Sequence, residues 1–259
     1  MIDTHCHLDA ARFDADRAEV LSRAFGKGLT AIVLPGIGPS NWDTLLEMAR
    51  AEPRLWVGLG MHPQFLPDLP QDGDGARLEL LDAMLSQRSA VAVGECGLDG
   101  PSLERAPLER QLKVLRGHFG LARKHGLPLL LHCFHAHPAL LELFKDEPFP
   151  EAGVVLHSYS GGPELVRAYA SLGCYFSFAG PVSYVGARKP VAALKQVPPE
   201  RLLVETDAPD QAPHPFRGQR SEPAYVVEIL AAMAAALSEP VDVLAERTSL
   251  NARRLFRRS

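Results

Sequence analysis

The sequence predicts an α/β fold of the (β/α)8 TIM-barrel class, a single domain over residues 1–259 with an extra C-terminal helix. Three observations predict it. Apolar, β-rich runs recur eight times at the spacing of βα units. A helical pattern follows each run. No Gly-rich phosphate loop follows the first strand, as an open doubly wound sheet would want.

The elements follow in order. The first strand, 1–5, leads to a helix at 14–25 that stops before Gly26 and Gly28. The second, 29–34, precedes a helix at 40–51. The third, 54–60, is followed by a Pro/Asp/Gly-rich loop at 63–73 and a helix at 75–87. The fourth, 90–95, leads to a long helix at 103–125 with an apolar stripe of Leu112, Leu115, Phe119 and Ala122. The fifth, 127–132, contains Leu127-Pro128-Leu129-Leu130-Leu131, a near-continuous apolar stretch suited to a strand covered on both faces. A helix at 138–145 follows. Strands at 153–157, 174–178 and 202–205 alternate with helices at 163–172, 191–196 and 222–237, and a last helix, 241–256, closes the chain.

The composition is that of an ordinary globular protein, 46% hydrophobic and 22% charged, long enough to bury a substantial core. No run of apolar residues is long enough to span a membrane, and Met1-Ile2-Asp3-Thr4-His5 lacks the features of a signal peptide, so a cytoplasmic protein without a membrane partner is expected. A net charge of −4 does not mark a nucleic-acid binder, although a local basic patch can serve. The four cysteines, Cys6, Cys96, Cys133 and Cys174, form no C-x-x-C pair, which excludes a zinc ribbon. Three of them follow a candidate metal ligand directly. Neighbours on a strand face opposite ways, so their thiols are expected to point away from the site as small buried groups.

Residue types that bind metals gather at the C-terminal ends of the predicted strands: His5 and His7 on the first, Glu95 on the fourth, His132 on the fifth, His157 on the sixth and Asp207 after the eighth. Barrel active sites assemble at that end. Residues two apart on a strand share a face, so His5 and His7 can serve one ion. Any one of these residues alone reads as a hydrogen-bonded rim residue or a helix cap. As a set they are expensive to bury without counter-charge. Two divalent cations remove the difficulty. Imidazole with carboxylate suits Zn or Mn, and carboxylates also admit Mg. Two close ions can share a hydroxide and clamp the oxygen that gains charge, which points to hydrolysis of an ester, amide or phosphodiester.

Asp3-Thr4-His5-Cys6-His7-Leu8-Asp9 resembles the opening signature of the TatD family of metal-dependent deoxyribonucleases, within the amidohydrolase superfamily of barrels. Gly58-Leu59-Gly60-Met61-His62-Pro63, Gly94-Glu95-Cys96-Gly97-Leu98-Asp99, His157-Ser158-Tyr159-Ser160-Gly161-Gly162, Glu205-Thr206-Asp207-Ala208-Pro209 and Asn251-Ala252-Arg253-Arg254-Leu255-Phe256 are similar to its later motifs, in order along almost the whole chain. The resemblance implies that His5, His7 and Asp207 serve one ion. It implies that Glu95 bridges to a second, held also by His132 and His157. Asp207 and Glu95 are then the catalytic carboxylates, with Asp207 accepting a proton from the attacking water. Glu205 is either an outer partner of the site or part of an interior salt bridge.

The sequence departs from the family where substrate would be met. The strand-five His is usually followed two residues later by Arg, a natural phosphate partner; here the segment is His132-Cys133-Phe134-His135-Ala136. Gly100 and Pro101 stand where an aromatic pair is common, and Asp210 replaces a usual Tyr. Compensating substrate contacts are expected from His62, His135, Arg188 and Arg220, each of which also reads as an ordinary rim or loop residue, while His137 is expected to begin a surface helix.

The leading expectation is a monomeric deoxyribonuclease that acts on single-stranded DNA or 3′ ends with two divalent metal ions. Its alternatives are a superfamily hydrolase of a small ester, lactone, amide or phosphoester, and a non-catalytic metal-binding module.

Overall fold

Short apolar strands, buried on both faces, alternate with helices that carry one buried stripe each. The computed structural model describes residues 1–258. Among them are eight β-strands and nine α-helices, and the sheet order is the sequence order, β1 to β8. The strands pair in parallel, as expected when a helix returns the chain to the same edge after every strand. The chain divides into two compact units, Met1–Leu34 with Gly161–Ser259, and Pro35–Ser160.

In the first unit, β1 (Ile2–Asp3) pairs with β2 (Ala31–Pro35), and β7 (Tyr175–Phe178) pairs with β8 (Leu202–Val204). Thr4 N–H donates to the Val204 carbonyl at 3.1 Å, and a parallel bridge joins Cys6 to Ala208, so β8 continues alongside β1. Around these strands lie α1 (Arg17–Gly26), α6 (Pro163–Ser171), α7 (Arg188–Leu194), α8 (Val226–Leu237) and α9 (Val241–Phe256). The last helix has the bounds expected of it. Asn251 on it donates to the carbonyls of Pro199 and Leu202 at 2.8 and 2.9 Å and so ties α9 to the start of β8.

In the second unit, β3 (Leu55–Leu59), β4 (Ala92–Asp99), β5 (Leu129–Phe134) and β6 (Val154–Leu156) pair in succession, with α2 (Pro39–Ala51), α3 (Asp74–Leu85), α4 (Leu108–His125) and α5 (His137–Asp146) between and beside them. Strand β4 runs four residues past its expected end at Glu95. Its register against β5 slips between Val93 and Cys96, the mark of a bulge. Helix α4 begins at Leu108 instead of 103, because Pro107 supplies its start and a 3-10 turn at Gly100–Ser102 takes the chain out of β4. A buried ion pair fastens α4 to α3: Arg110 holds Asp74 with two bonds, at 2.8 and 2.9 Å. All four cysteines are free and buried, and burial pushes the Cys133 and Cys174 thiols up to about 12 and those of Cys6 and Cys96 upward as well. No described helix is long and apolar enough to cross a membrane.

Candidate metal centre

The first unit brings His5, His7 and Asp207 together. Past β1 the backbone stays extended against the continuation of β8: Asp207 N–H donates to the His5 carbonyl at 2.9 Å, and His7 N–H to the Ala208 carbonyl at 2.7 Å. The alternation puts Cys6 into the core and both histidines on one face. Their Nε2 atoms lie 3.3 Å apart, and each is 3.8 Å from Asp207 Oδ1. Asp207 sits at φ 53°, a left-handed conformation that Asp adopts more readily than most residues. Gln211 donates to its other oxygen, Oδ2. Two imidazoles and one carboxylate oxygen facing each other at this spacing could hold a divalent ion.

Asp3 holds that face in place, a role the sequence reading missed. It is fully buried, accepts from the N–H groups of His5 and Thr206 at 3.2 and 2.9 Å, and pairs with the Thr206 hydroxyl at 2.5 Å. Burial drives its carboxyl up to about 8, against the pull of the Thr206 and His5 bonds. Asp3 thereby fixes the backbone that carries His5 to the backbone that leads to Asp207.

The second unit brings His62, Glu95, His132 and His157 together. Glu95 Oε1 is 2.8 Å from His157 Nε2, 3.0 Å from His62 Nε2 and 3.3 Å from His132 Nδ1. The β4 bulge re-aims Glu95 toward these rings. The glycines around it allow the approach: at Gly97, with φ 148°, a Cβ would overlap the His132 carbonyl, and at Gly60 a Cβ would meet the Glu95 carbonyl.

His62, of which a substrate contact is expected, faces the cluster. It is buried, and its Nδ1 accepts from Gln64 N–H at 3.1 Å. In a neutral ring that leaves the proton on Nε2, which donates to Glu95 and orients it. His118 on α4, another residue absent from the sequence reading, sets the backbone next to it. Its Nε2 accepts from Met61 N–H at 3.0 Å while its Nδ1 donates to the Val114 carbonyl at 2.8 Å. Burial pushes the His118 pKa down to about 4.

Asp99, at the end of β4, is the third unforeseen residue. Its Oδ1 lies 3.0 Å from His132 Nε2 and accepts from Gln64 Nε2 at 3.1 Å, and its Oδ2 accepts from the Ser102 N–H and hydroxyl. Burial works to raise its pKa, but the bonds from His132, Ser102 and Gln64 prevail and hold it well below the usual carboxylate range. With its Nε2 proton on Asp99, His132 turns the Nδ1 lone pair toward Glu95 and His157, which is how an outer carboxylate prepares an imidazole for a metal. Burial works to lower the His132 pKa, but Asp99 and Glu95 raise it on balance, so protons compete with a cation there. The signal for Asp99 was present in Gly97-Leu98-Asp99; its pairing with His132 needed the β4–β5 register.

The remaining candidates lie elsewhere. His135 is exposed at φ 52° just after β5, and Arg188 is exposed at the start of α7. Arg220 is paired within its own unit: its guanidinium makes two bonds of 2.6 Å to Asp16 and one of 2.7 Å to the Arg12 carbonyl, and it lies over the Phe13 ring. His137 does begin a helix, α5, but its ring is buried, 3.2 Å from the Ser160 hydroxyl, and not on the surface.

A fold of eight βα units with these donors is that of a metal-dependent hydrolase, and comparison with known proteins agrees. The profile described as TatD related DNase matches residues 2–257. An uncharacterized metal-dependent hydrolase, YabD of Bacillus subtilis, is 33% identical over 99% of both chains. A protein named 3′-5′ ssDNA/RNA exonuclease TatD, from Salmonella typhimurium, is 31% identical over 99% of this chain and 98% of its own. The crystal structure of YjjV, a TatD homologue of Escherichia coli, matches with a TM-score of 0.91 at 32% identity, over 100% of this chain and 98% of the other. The fold class is the (β/α)8 barrel, and the chain belongs to the TatD family of metal-dependent hydrolases.

Proposed function

We propose that this hydrolase cleaves phosphodiester bonds at the 3′ ends of single-stranded nucleic acid, DNA first, as a cytoplasmic monomer with one divalent ion in each cluster. His5, His7 and Asp207 would hold one ion, and Glu95, His132 and His157 the other. The observation that carries the reading is the convergence of three ring nitrogens on one oxygen of Glu95, within 3.3 Å. A carboxylate so placed suits a cation far better than a structural salt bridge. Relatives at 31% identity that are named exonucleases supply the substrate class.

Bound divalent ions supply an acidified water and a counter-charge for the scissile phosphate. The chain's own residues do the rest. Asp207, held by Gln211 on Oδ2, would take the proton of the attacking water. His62 keeps Glu95 oriented. Asp99 keeps His132 in the tautomer that binds. The four imidazoles favour Mn or Zn over Mg by donor preference.

The test is digestion of a single-stranded oligonucleotide by the purified protein with Mg, Mn or Zn. Activity should vanish with EDTA and fall by about 100-fold or more in Glu95→Ala and Asp207→Ala. Undiminished cleavage in those variants would reject the site. A second reading, hydrolysis of a small ester or phosphoester, draws on Phe134, Gly100-Pro101 and Asp210 in the altered substrate shell. Turnover of p-nitrophenyl esters or phosphoesters with none on DNA would select it, and a protein that takes up no metal after reconstitution would point to neither enzyme.

A further inference from the structure

Among the described residues, two aromatic side chains are exposed, Phe65 at 42% and Phe134 at 40%, out of 18 Phe, Tyr and Trp in the chain. Both belong to the second unit, and both stand beside the Glu95 cluster. Phe65 follows β3 by way of His62, and its ring meets the His62 ring edge-on with centroids 5.9 Å apart. Phe134 ends β5 two residues after His132, on the same face of the strand, opposite Asp99 in the β4 register. One carboxylate oxygen organises both positions. Asp99 Oδ1 accepts from Gln64, the neighbour of Phe65, and holds His132.

The Phe134 ring is also supported from behind. The His135 ring packs against Phe134 at 4.2 Å, edge to face. Gly100 leaves room for the His135 backbone, since a Cβ there would come within 2.9 Å of His135 Cβ. Phe65 forms one wall of an open groove of about 530 Å³ with Ile37, Leu69 and Leu80. Leaving two large apolar rings in water has a cost that the other aromatic residues avoid, and it occurs at the rim of the candidate metal cluster.

We propose that Phe65 and Phe134 form a stacking platform for nucleobases, so that this protein grips its substrate by the faces of the bases. Phe134 occupies the position at which the family resemblance leads one to expect an Arg. An uncharged ring there removes a phosphate contact and supplies a π-face that every base can stack on. The proposal rests on the nuclease reading and adds to it which atoms of the nucleic acid are recognised.

The test uses the Mn-loaded protein and a single-stranded oligonucleotide with phosphorothioate linkages that resist cleavage and 2-aminopurine at the 3′ end, whose fluorescence falls on stacking. The wild type should quench the probe on binding. Phe134→Ala and Phe65→Ala should each weaken binding by about 5- to 150-fold and lose much of the quench. On a cleavable oligonucleotide the same variants should raise KM with little change in kcat. Phe134→Trp should retain both the affinity and the quench, which a merely structural role would not predict. Cleavage by the wild type together with unchanged affinity and quench in both alanine variants overturns the platform alone. A wild type that neither binds nor cleaves the oligonucleotide overturns the nuclease reading and the platform with it.

Discussion

Acidification should destabilise this protein through one buried ring, His118. Its neutral form is required by its partners. Nε2 accepts from Met61 N–H at 3.0 Å, and a proton there would set two N–H groups against each other. Burial lowers the pKa from 6.5 to about 4 in the folded state. Between those values the unfolded chain binds the proton and the folded chain does not, so stability is lost as pH falls through that window. Each pH unit below the unfolded pKa corresponds to about 1.4 kcal/mol, so this group costs about 2 kcal/mol at pH 5 and about 3 kcal/mol near pH 4. The ring is completely buried, so solvent does not screen it.

The assay is urea unfolding of the wild type and His118→Gln at pH 7 and pH 5. Gln can accept from Met61 and does not titrate. The variant starts less stable at pH 7 because the packing is imperfect. Its stability should fall less on acidification, by about 2 kcal/mol, and this difference of differences cancels other titrating groups. Parallel losses in the two proteins would refute the assignment of a buried neutral His118.

Three further outcomes are expected. Asp99→Ala should weaken divalent-metal binding by about 10- to 100-fold, read by calorimetric titration, because His132 loses the partner that fixes its tautomer; metal binding by the wild type should itself weaken as pH falls, since the raised His132 pKa favours the proton. Arg110→Ala should destabilise folding by about 3 kcal/mol in urea, since it strips the buried Asp74 of a two-bond partner and leaves the Arg77 contact at 3.2 Å.

Much of the chain could be read from local pattern. The period of apolar residues marked the eight strands and nine helices, and α9 has the expected bounds, because strand, helix and breaker preferences all act within a few residues. Failures came where a distant partner overrode the local signal. The fourth strand reads as ending at Glu95, yet β4 runs on to Asp99, because β5 offers a ladder and Gly97 can adopt φ 148° against it. Arg220 reads as a loop cation; its pairing with Asp16, 204 positions away in the chain, has no local signal.

The sequence by itself determined the fold class, the family and the metal-binding residue types, since those depend on periodicity and on a set of motifs in fixed order. Folding set what each side chain meets. Whether a histidine binds, orients or merely packs depends on what meets its second nitrogen. For His62 that is the amide of Gln64, for His118 the amide of Met61 and for His132 the carboxylate of Asp99. Hydrogen bonds act over about 3 Å and are indifferent to chain separation, so only folding could assign them.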